Sequence, residues 1–409
     1  MLTPHPTLRR KDFFSRRRND PRALCEGDSL HLTYNARGAL YQLLQAIPEN
    51  KRNVVLLPAF HCTALVEPVA QSRFRAVFYR IKPDLSIDLD DLRSKATADV
   101  ALIVAIHFFG FPADLTPLLE LRRQLGRYLL EDCAHSFLTL DNDRAIGYRG
   151  DFSIFSYYKT VPSLFGGALR INRKPFEFAP SRAAISAKES AVIAKRLFEQ
   201  MLVNSKDGFW KRAYLSLENR RVARKQSASA ADHPAASHFA DDPYLFRSDL
   251  AKAGMPGLCK RILKSSDWQA IMAARRRNFA ALDGALHETP LLRKLYPFLQ
   301  EGVCPWAYPV LLQDRVLHEQ KLRARGVPLF TFGEMLHPLL AQADLLSRRD
   351  AEDLSNRLMV LPVHQNLSVD DVNQYAEEVN RFLAGLQQTP PESHSAVATT
   401  QPVNLRGCP

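Results

Sequence analysis

The feature that most constrains this chain is a regular alternation of short apolar segments with helical segments between about residues 30 and 175. Strands are predicted at 53–60, 76–81, 100–106 and 128–132, where short apolar runs carry β-branched or aromatic residues. Helices are predicted at 35–47, at a stretch through Val66 and Val69, and at 114–125. Strands that alternate with helices pair in parallel through right-handed crossovers, so the chain is predicted to be an α/β protein.

The composition changes after Arg173, which indicates a different organisation in the second half of the chain. Residues 183–226 are predicted to be helical, and 227–240 are predicted to form a flexible loop. A second unit begins near residue 266, with predicted helices at 268–286, 317–325 and 368–386 and a strand at 308–313. The predicted organisation is a basic N-terminal segment (1–29), a large domain (30–265), a smaller C-terminal α/β domain (266–386) and a disordered tail (387–409).

Composition narrows the classes of protein to which this chain can belong. Its 409 residues are 46% hydrophobic and 24% charged, which is typical of a globular chain with a substantial core. No membrane span or signal segment is expected, because the apolar runs are too short. The six cysteines show no CxxC pair and no metal-like spacing, which favours a reducing cytoplasm.

The formal net charge of +12 is accompanied by basic clusters at 16–18, 220–221, 224–225 and 275–277. Two interpretations of these clusters stay open. They are solvated surface charge, or they attract an anionic partner such as a nucleotide diphosphate, nucleic acid or a membrane surface. No aromatic-rich nucleic-acid module accompanies the arginines, so nucleic acid is not expected as a partner.

A turn of small residues opens the helix predicted at 35–47. Ala36, Arg37 and Gly38 lie where a helix start offers free backbone amides and a positive dipole end, which suit a phosphate group. Many helices begin with small residues without binding anything, so an ordinary helix start stays open as the alternative.

Two carboxylates follow an apolar run at the end of the strand predicted at 128–132. Ligands of open parallel sheets lie at the carboxyl ends of the strands, and Asp132 there could pair with a cationic ring nitrogen and hold it protonated. The stretch Glu131-Asp132-Cys133-Ala134-His135 also brings an imidazole to this edge. A helix cap or an exposed loop acid is the alternative interpretation of Asp132.

A lysine follows a strand-like run at residues 150–155. Ser156 and Lys159 lie where this run ends, and Gly166-Gly167 would let the backbone pass close to a ligand or a neighbouring strand. A desolvated lysine condenses with an aldehyde as a Schiff base, although a lone lysine is more often a surface residue. An anion cradle, a ring-nitrogen partner and an amine in this order meet the needs of pyridoxal phosphate.

Further motifs extend this pattern and give it a resemblance to a known family. They are LPAF (57–60), HFFGFPAD (107–114), EDCAH (131–135), GDFSIFS (150–156) and, later, GV (326–327), HP (337–338) and LPVH (361–364). Together they resemble the sugar aminotransferases of the DegT/DnrJ/EryC1/StrS group, over residues 30–175 and less closely over 305–385. The resemblance implies fold type I, with a mainly parallel central sheet flanked by helices and a smaller C-terminal α/β domain.

The resemblance also implies a role for each candidate residue. Lys159 would anchor the cofactor covalently and move a proton between substrate and cofactor carbons. Asp132 would keep the pyridine nitrogen protonated, and His135 would lie near the phenolic oxygen of the ring. Ser156 and the amides from Ala36 to Gly38, with Arg37 between them, would bind the phosphate.

The chain departs from the commoner family pattern at three places. Ser156 and Lys159 are two residues closer together, which resembles a variant branch with a K-T-x-P turn. Arg37 and Gly38 replace two residues of the usual S-G-T-A-A phosphate turn, and Arg37 would either contact the phosphate or point to solvent. His61 or Cys62 stands where the family has an aromatic residue, and stacking of His61 on the cofactor ring is predicted.

The predicted function is therefore a cytoplasmic, homodimeric, pyridoxal-phosphate-dependent aminotransferase. It would move an amino group from an amino acid, expected to be glutamate, to a keto-sugar nucleotide for polysaccharide or secondary-metabolite biosynthesis. Two alternatives stay open. One is another reaction of the same cofactor, by a lyase, a dehydratase or a non-sugar transaminase. The other is a non-catalytic ligand-binding or regulatory protein on the same fold.

Overall fold

The computed structural model describes residues 2–24, 30–181, 183–203, 246–296 and 298–388. The predicted loop at 227–240 lies outside these residues, as do the second part of the helical stretch 183–226, the clusters at 220–225 and residues 389–409 of the predicted tail. In the part of the chain that is described, no helix is both long and apolar enough to cross a membrane.

Twelve strands form three sheets within the described residues. They are β1 (Leu30–Thr33), β2 (Val54–Pro58), β3 (Arg75–Tyr79), β4 (Val100–Ile106), β5 (Tyr128–Asp132), β6 (Leu140–Asp141), β7 (Arg144–Ala145), β8 (Phe152–Ser156), β9 (Gly167–Ile171), β10 (Leu292–Lys294), β11 (Ala307–Leu312) and β12 (Leu358–Pro362). Every strand predicted between 53 and 155 is present within a few residues, whereas six strands were not predicted: β1, β6, β7, β9, β10 and β12.

The central sheet has seven strands in the order β1-β9-β8-β5-β4-β2-β3. Strands β3, β2, β4, β5 and β8 are parallel to one another, and β9 runs antiparallel to both β8 and β1. β2 and β4 are fully buried along their lengths, because helices cover both faces of a parallel sheet. The predicted α/β class with a mainly parallel sheet is thus confirmed.

Helices connect these strands and cover the sheets. They are α1 (Arg10–Phe13), α2 (Ala36–Ala46), α3 (Thr63–Ala70), α4 (Leu89–Lys95), α5 (Thr116–Leu125), α6 (Ala187–Val203), α7 (Ser248–Ala251), α8 (Gly257–Ser265), α9 (Trp268–Ala285), α10 (Arg315–Ala324), α11 (Leu345–Arg357) and α12 (Val369–Gln388). Asn35, Asp88, Asp267 and Asp344 cap four of them by accepting a hydrogen bond from a backbone N–H of the first turn.

The C-terminal part contains a second, antiparallel sheet of three strands in the order β10-β11-β12. Its strands share one continuous hydrophobic core with the central sheet, and this core includes residues from Ala39 to Leu383. The predicted helices α9, α10 and α12 are present, and α11 was missed. The domain boundary near residue 266 stays a prediction.

Residues 2–9 form an extended N-terminal arm that packs on the C-terminal part. Leu8 is completely buried, and His364 donates a hydrogen bond to the carbonyl of Thr3 over 2.8 Å. Asn366 donates to the carbonyl of Thr7 over 2.9 Å, and Arg9 donates to the carbonyl of Asn366 over 2.7 Å. The predicted basic segment is therefore in part a packed element, in which Arg17 forms an ion pair with Asp267.

Candidate active site

Asp132 lies at the carboxyl end of β5, where parallel strands on both sides end near it. Its side chain is buried, and Oδ1 accepts a hydrogen bond from the N–H of Ala134 over 2.9 Å. Burial raises the pKa of Asp132, while that amide and the charges of Lys159 and His107 act in the opposite direction. A buried carboxylate in this position favours a cationic partner.

His135 lies two residues beyond Cys133 and faces an aromatic cluster. Its Nδ1 accepts a hydrogen bond from the N–H of Phe109 over 3.3 Å, which leaves the proton on Nε2. Its ring stacks on Trp306 with centroids 4.0 Å apart and an angle of 20°. Burial, together with the charge of Lys159, holds the pKa of His135 well below its ordinary value, so the imidazole is neutral.

Lys159 ends a single 3₁₀ turn (Tyr157–Lys159) that follows β8. Its Nζ lies 5.0 Å from the centroid of the Trp306 ring. Burial lowers the pKa of Lys159; Cys62 and Asp132 raise it, and Arg37 lowers it further. A lysine with a lowered pKa has more of the neutral amine near neutral pH, and this is the nucleophilic form.

The start of α2 lies beside Lys159, as the predicted phosphate cradle requires. Arg37 acts electrostatically on both Lys159 and Tyr158, and Ser156, which is buried, lowers the pKa of Tyr158 against the effect of burial. The amide of Gly38 is already used, because it donates to Oδ1 of the capping Asn35 over 2.8 Å. The predicted phosphate cradle at Ala36, Arg37 and Gly38 stays a prediction, with the Gly38 amide already engaged in the helix cap.

The pair Gly166-Gly167 connects the lysine turn to this helix start. Gly166 accepts a hydrogen bond from the N–H of Tyr157 and donates one to the carbonyl of Tyr34, over 2.9 and 2.8 Å. A Cβ on Gly167 would lie 2.3 Å from the carbonyl carbon of Asn35 and 2.5 Å from the nitrogen of Ala36. Gly167 is therefore required for β9 to pass against the start of α2.

His61 does not stack on a cofactor, and this prediction was wrong. Its ring is completely buried, packs on Phe78 with centroids 5.3 Å apart, and has both nitrogens in hydrogen bonds. Nδ1 donates to the carbonyl of Pro58, and Nε2 accepts from the N–H of His337. The neighbouring Cys62 is half-buried instead, and it is the residue that acts on Lys159.

His107, Glu131 and Cys133 place ligand-type atoms within 4.8 Å of one another, but the histidine has no free nitrogen for a metal. Its Nε2 pairs with Glu131 over 3.0 Å, and Nδ1 accepts from the N–H of Ala113 over 2.9 Å. Glu131 also accepts a hydrogen bond from the N–H of Gly150. This cluster joins the HFFGFPAD motif to β5 and is structural.

Two residues near Lys159 were not predicted from the sequence. They are Trp306 and His5. Trp306 packs on the turn at 108–110, where its backbone N–H donates a hydrogen bond to the carbonyl of Phe109 over 2.7 Å. His5, from the N-terminal arm, packs on Phe330 with ring centroids 4.9 Å apart, and its pKa is lowered to about 4 by burial and by the charges of Lys159 and Arg275. Neither residue has a local sequence signal, because both reach the site through long-range packing.

The residues present fit pyridoxal phosphate in three respects. Asp132 is a buried carboxylate of raised pKa that a protonated ring nitrogen would stabilise. Lys159 is an amine of lowered pKa on the neighbouring strand end. Gly167, which has no side chain, lets β9 pack directly against the start of α2, so that helix start lies close to the turn that carries Lys159.

The fold is fold type I, the fold of the solved aminotransferase structures to which this chain is similar. Residues 30–172 match the sequence model of the DegT/DnrJ/EryC1/StrS aminotransferase family, and the resemblance predicted from the motifs is confirmed over these residues. The match contains Asp132, His135, Ser156 and Lys159.

Individual proteins support the same relationship. The chain is 30% identical over 141 residues to GDP-perosamine synthase of Vibrio cholerae, in a match that covers 34% of this chain and 38% of that protein. It is 22% identical over 374 residues to UDP-4-amino-4,6-dideoxy-N-acetyl-beta-L-altrosamine transaminase of Helicobacter pylori, covering 87% of each. The solved structure of Helicobacter pylori PseC, an aminotransferase involved in the biosynthesis of pseudoaminic acid, superposes with a TM-score of 0.66 at 18% identity. The superposition covers 94% of this chain and 99% of that one.

Proposed function

We propose that this chain is a pyridoxal-phosphate-dependent aminotransferase that moves an amino group from an amino acid, expected to be glutamate, to a keto-sugar nucleotide. The product would serve polysaccharide or secondary-metabolite biosynthesis in the cytoplasm. The related proteins from Vibrio cholerae and Helicobacter pylori carry names of this kind, which supports the substrate class. By the same resemblance, we propose that the active protein is a homodimer.

The observation that carries the proposal is the grouping of an amine, a carboxylate and an imidazole at neighbouring strand ends. Lys159 acts electrostatically on both Asp132 and His135, and Asp132 acts on Lys159, although the three come from two strand ends and a following loop. Structural roles alone do not require a lysine of lowered pKa beside a buried carboxylate of raised pKa.

Each residue would have a distinct task. Bound pyridoxal phosphate supplies an electron sink for the carbon from which a proton is removed. Lys159 would hold the cofactor covalently and move that proton at Nζ. Asp132 would hold the ring nitrogen protonated, and His135, neutral with its proton on Nε2, would donate to the phenolic oxygen. Ser156, Ala36 and Arg37 would bind the phosphate.

The test is the visible spectrum of the full chain incubated with pyridoxal phosphate, compared with Lys159→Ala. We expect the parent to show a cofactor–lysine band that borohydride fixes to the peptide containing Lys159, and the variant to lack it. Lys188→Ala, a change of a lysine on the exposed side of α6, is the matched control and should keep the band. Addition of glutamate should shift the parent band to that of the amine form of the cofactor. A parent without the band at saturating cofactor would favour a non-catalytic protein on this fold.

A further inference from the structure

Arg275 is completely buried in the middle of α9, although the sequence places it in one of the basic clusters. It is neither a solvated surface charge nor a residue that faces solvent to attract an anionic partner. Burial lowers its pKa to about 10, so the guanidinium stays charged near neutral pH. Among the described residues, the structure gives it no carboxylate partner.

The guanidinium of Arg275 donates its hydrogen bonds to neutral oxygens of three separate segments. Nη2 donates to the carbonyls of Lys159 and Thr160 over 3.2 and 3.4 Å. Nη1 donates to the carbonyls of Pro305 and Trp306 over 3.2 and 2.9 Å. Nε donates to Oε1 of Gln365 over 3.1 Å.

Gln365 closes this network, because its Nε2 donates to the same Thr160 carbonyl over 2.9 Å. The turn that carries Lys159 is therefore held from two sides, by α9 and by the loop after β12. Trp306, over whose ring the Lys159 amine lies, is held by the same guanidinium. A planar guanidinium fixes the relative position of two segments in a way that the point charge of a lysine does not.

We propose that Arg275 is a positioning residue that fixes the Lys159 turn relative to Trp306 and so sets the orientation and hydration of the Lys159 amine. The geometry assigns this role because its donors join the two backbone segments whose side chains meet at Nζ of Lys159. Its importance for catalysis rests on the proposed function, but the positioning itself does not.

Arg276 provides a matched control on the same helix. It also donates to two carbonyls, those of Gln300 and Val303, over 2.9 and 2.7 Å, but it touches neither the lysine turn nor Trp306. Loss of Arg276 therefore removes two hydrogen bonds to the backbone, where loss of Arg275 removes four, and it does not release Lys159. The comparison separates a positioning role from a general stabilising one.

The experiment measures the reactivity of Lys159 in the full chain without cofactor. Trinitrobenzenesulfonate labels amines in their neutral form, and mass spectrometry of the peptide that contains Lys159 gives the extent of labelling at each pH. In Arg275→Gln we expect the midpoint of this profile to rise by about half a pH unit or more, because a loosened turn lets water reach the amine. Arg276→Gln should keep the parent midpoint.

Arg275→Lys keeps a buried cation but loses the planar arrangement of donors. If Arg275→Gln fails to fold, the labelling profile of Arg275→Lys tests the proposal instead. Its midpoint is expected to lie between those of the parent and Arg275→Gln. With cofactor added, adduct formation at Lys159 should slow about tenfold or more in Arg275→Gln. Labelling profiles of Arg275→Lys and any folded Arg275→Gln that coincide with the parent profile would overturn the proposal. A parent that forms no adduct would instead refute the proposed function and leave the labelling comparison readable.

Discussion

At the scale of single residues, the site depends on a buried carboxylate and a half-buried amine. Burial moves the pKa of Asp132 up and the pKa of Lys159 down, and each of these two groups partly offsets the shift of the other. Each would be stabilised further by a ligand that brings a positive ring nitrogen to the carboxylate and an aldehyde to the amine. The two groups therefore form a matched pair that one cofactor can satisfy.

Asp132→Asn tests this pairing. The amide has nearly the same shape but cannot hold a ring nitrogen protonated, so we expect transamination to fall by about 10² to 10³-fold, the size of an electrostatic contribution at an active site. The cofactor band should persist, because Lys159 is retained. Asp141→Asn, a carboxyl-to-amide change in the β6–β7 hairpin, is the control. Equal rates for Asp132→Asn and the parent would remove Asp132 from the mechanism.

Asp132, His135 and Lys159 could be predicted from the sequence because each lies just after an apolar run, and the ends of parallel strands meet at one edge. Trp306 and Arg275 could not, because they approach Lys159 through packing of the C-terminal part. His61 was misassigned for a related reason. Its place in the motif suggests the site, whereas its ring is buried between Phe78 and the backbone of His337.

At the scale of elements, β9 determines how closely the lysine turn and the start of α2 can approach. β9 runs antiparallel beside β8, so its first residues lie opposite the last residues of β8, with Gly167 opposite Ser156. The same residues pair with β1, which leads into α2. One edge of the sheet therefore brings Ser156, Lys159 and the α2 amides together. The pattern of apolar runs predicted β8 but not β9, because the glycine pair interrupts the apolar signal.

Gly167→Ala is expected to separate these elements. The added Cβ would meet backbone atoms of Asn35 and Ala36, which cannot move aside as a side chain can. Overpacking of this kind costs about 1–3 kcal/mol of unfolding free energy, measurable by urea denaturation, and it should also weaken cofactor binding.

Gly254→Ala is the matched control for this prediction, because a Cβ there would meet no described atom within 4 Å. The control should change neither the unfolding free energy by more than a few tenths of a kcal/mol nor the affinity for the cofactor. If Gly167→Ala behaved like Gly254→Ala, the close approach of β9 to α2 would be unimportant.

At the scale of the whole molecule, two neutral histidines link distant parts of the chain. His61, in the loop after β2, joins Pro58 to His337, and His364, after β12, joins Thr3 to Asn366. Burial lowers the pKa of His61 to about 4, and the charge of His337 acts in the same direction. Burial lowers the pKa of His364 to about 3, and the charges of Arg275, His5 and Arg9 lower it as well. In each histidine one ring nitrogen accepts a hydrogen bond from a backbone N–H, that of His337 or of Asn366. Protonation of that nitrogen would place two N–H groups against each other.

Stability should therefore fall as the pH drops below about 6.5. Both folded-state pKa values lie below the ordinary histidine value, so the unfolded chain binds more protons between about pH 6.5 and 4. Each histidine contributes up to about 1.4 kcal/mol of lost unfolding free energy per pH unit in this range. Urea unfolding of the parent and of His364→Gln at pH 7.5, 5.5 and 4.5 measures the difference.

In His364→Gln, the slope of the unfolding free energy against pH should decrease by the contribution of nearly one bound proton. The variant should also be less stable than the parent at pH 7.5. His287→Gln, at an exposed position before β10, should leave the slope as it is in the parent. A slope that is identical in the parent and His364→Gln would show that His364 is not neutral in the folded protein.

The N-terminal arm has a consequence for how the protein is made. Thr3 and His364, which share a hydrogen bond, are 361 residues apart in the chain. A ribosome that adds about 5–20 residues per second needs roughly 20 to 70 s to produce the second of them after the first. Through that time the arm has no docking site, and Leu8 remains without the cover it has in the finished protein. The arm is thus synthesised well before it can reach its final place.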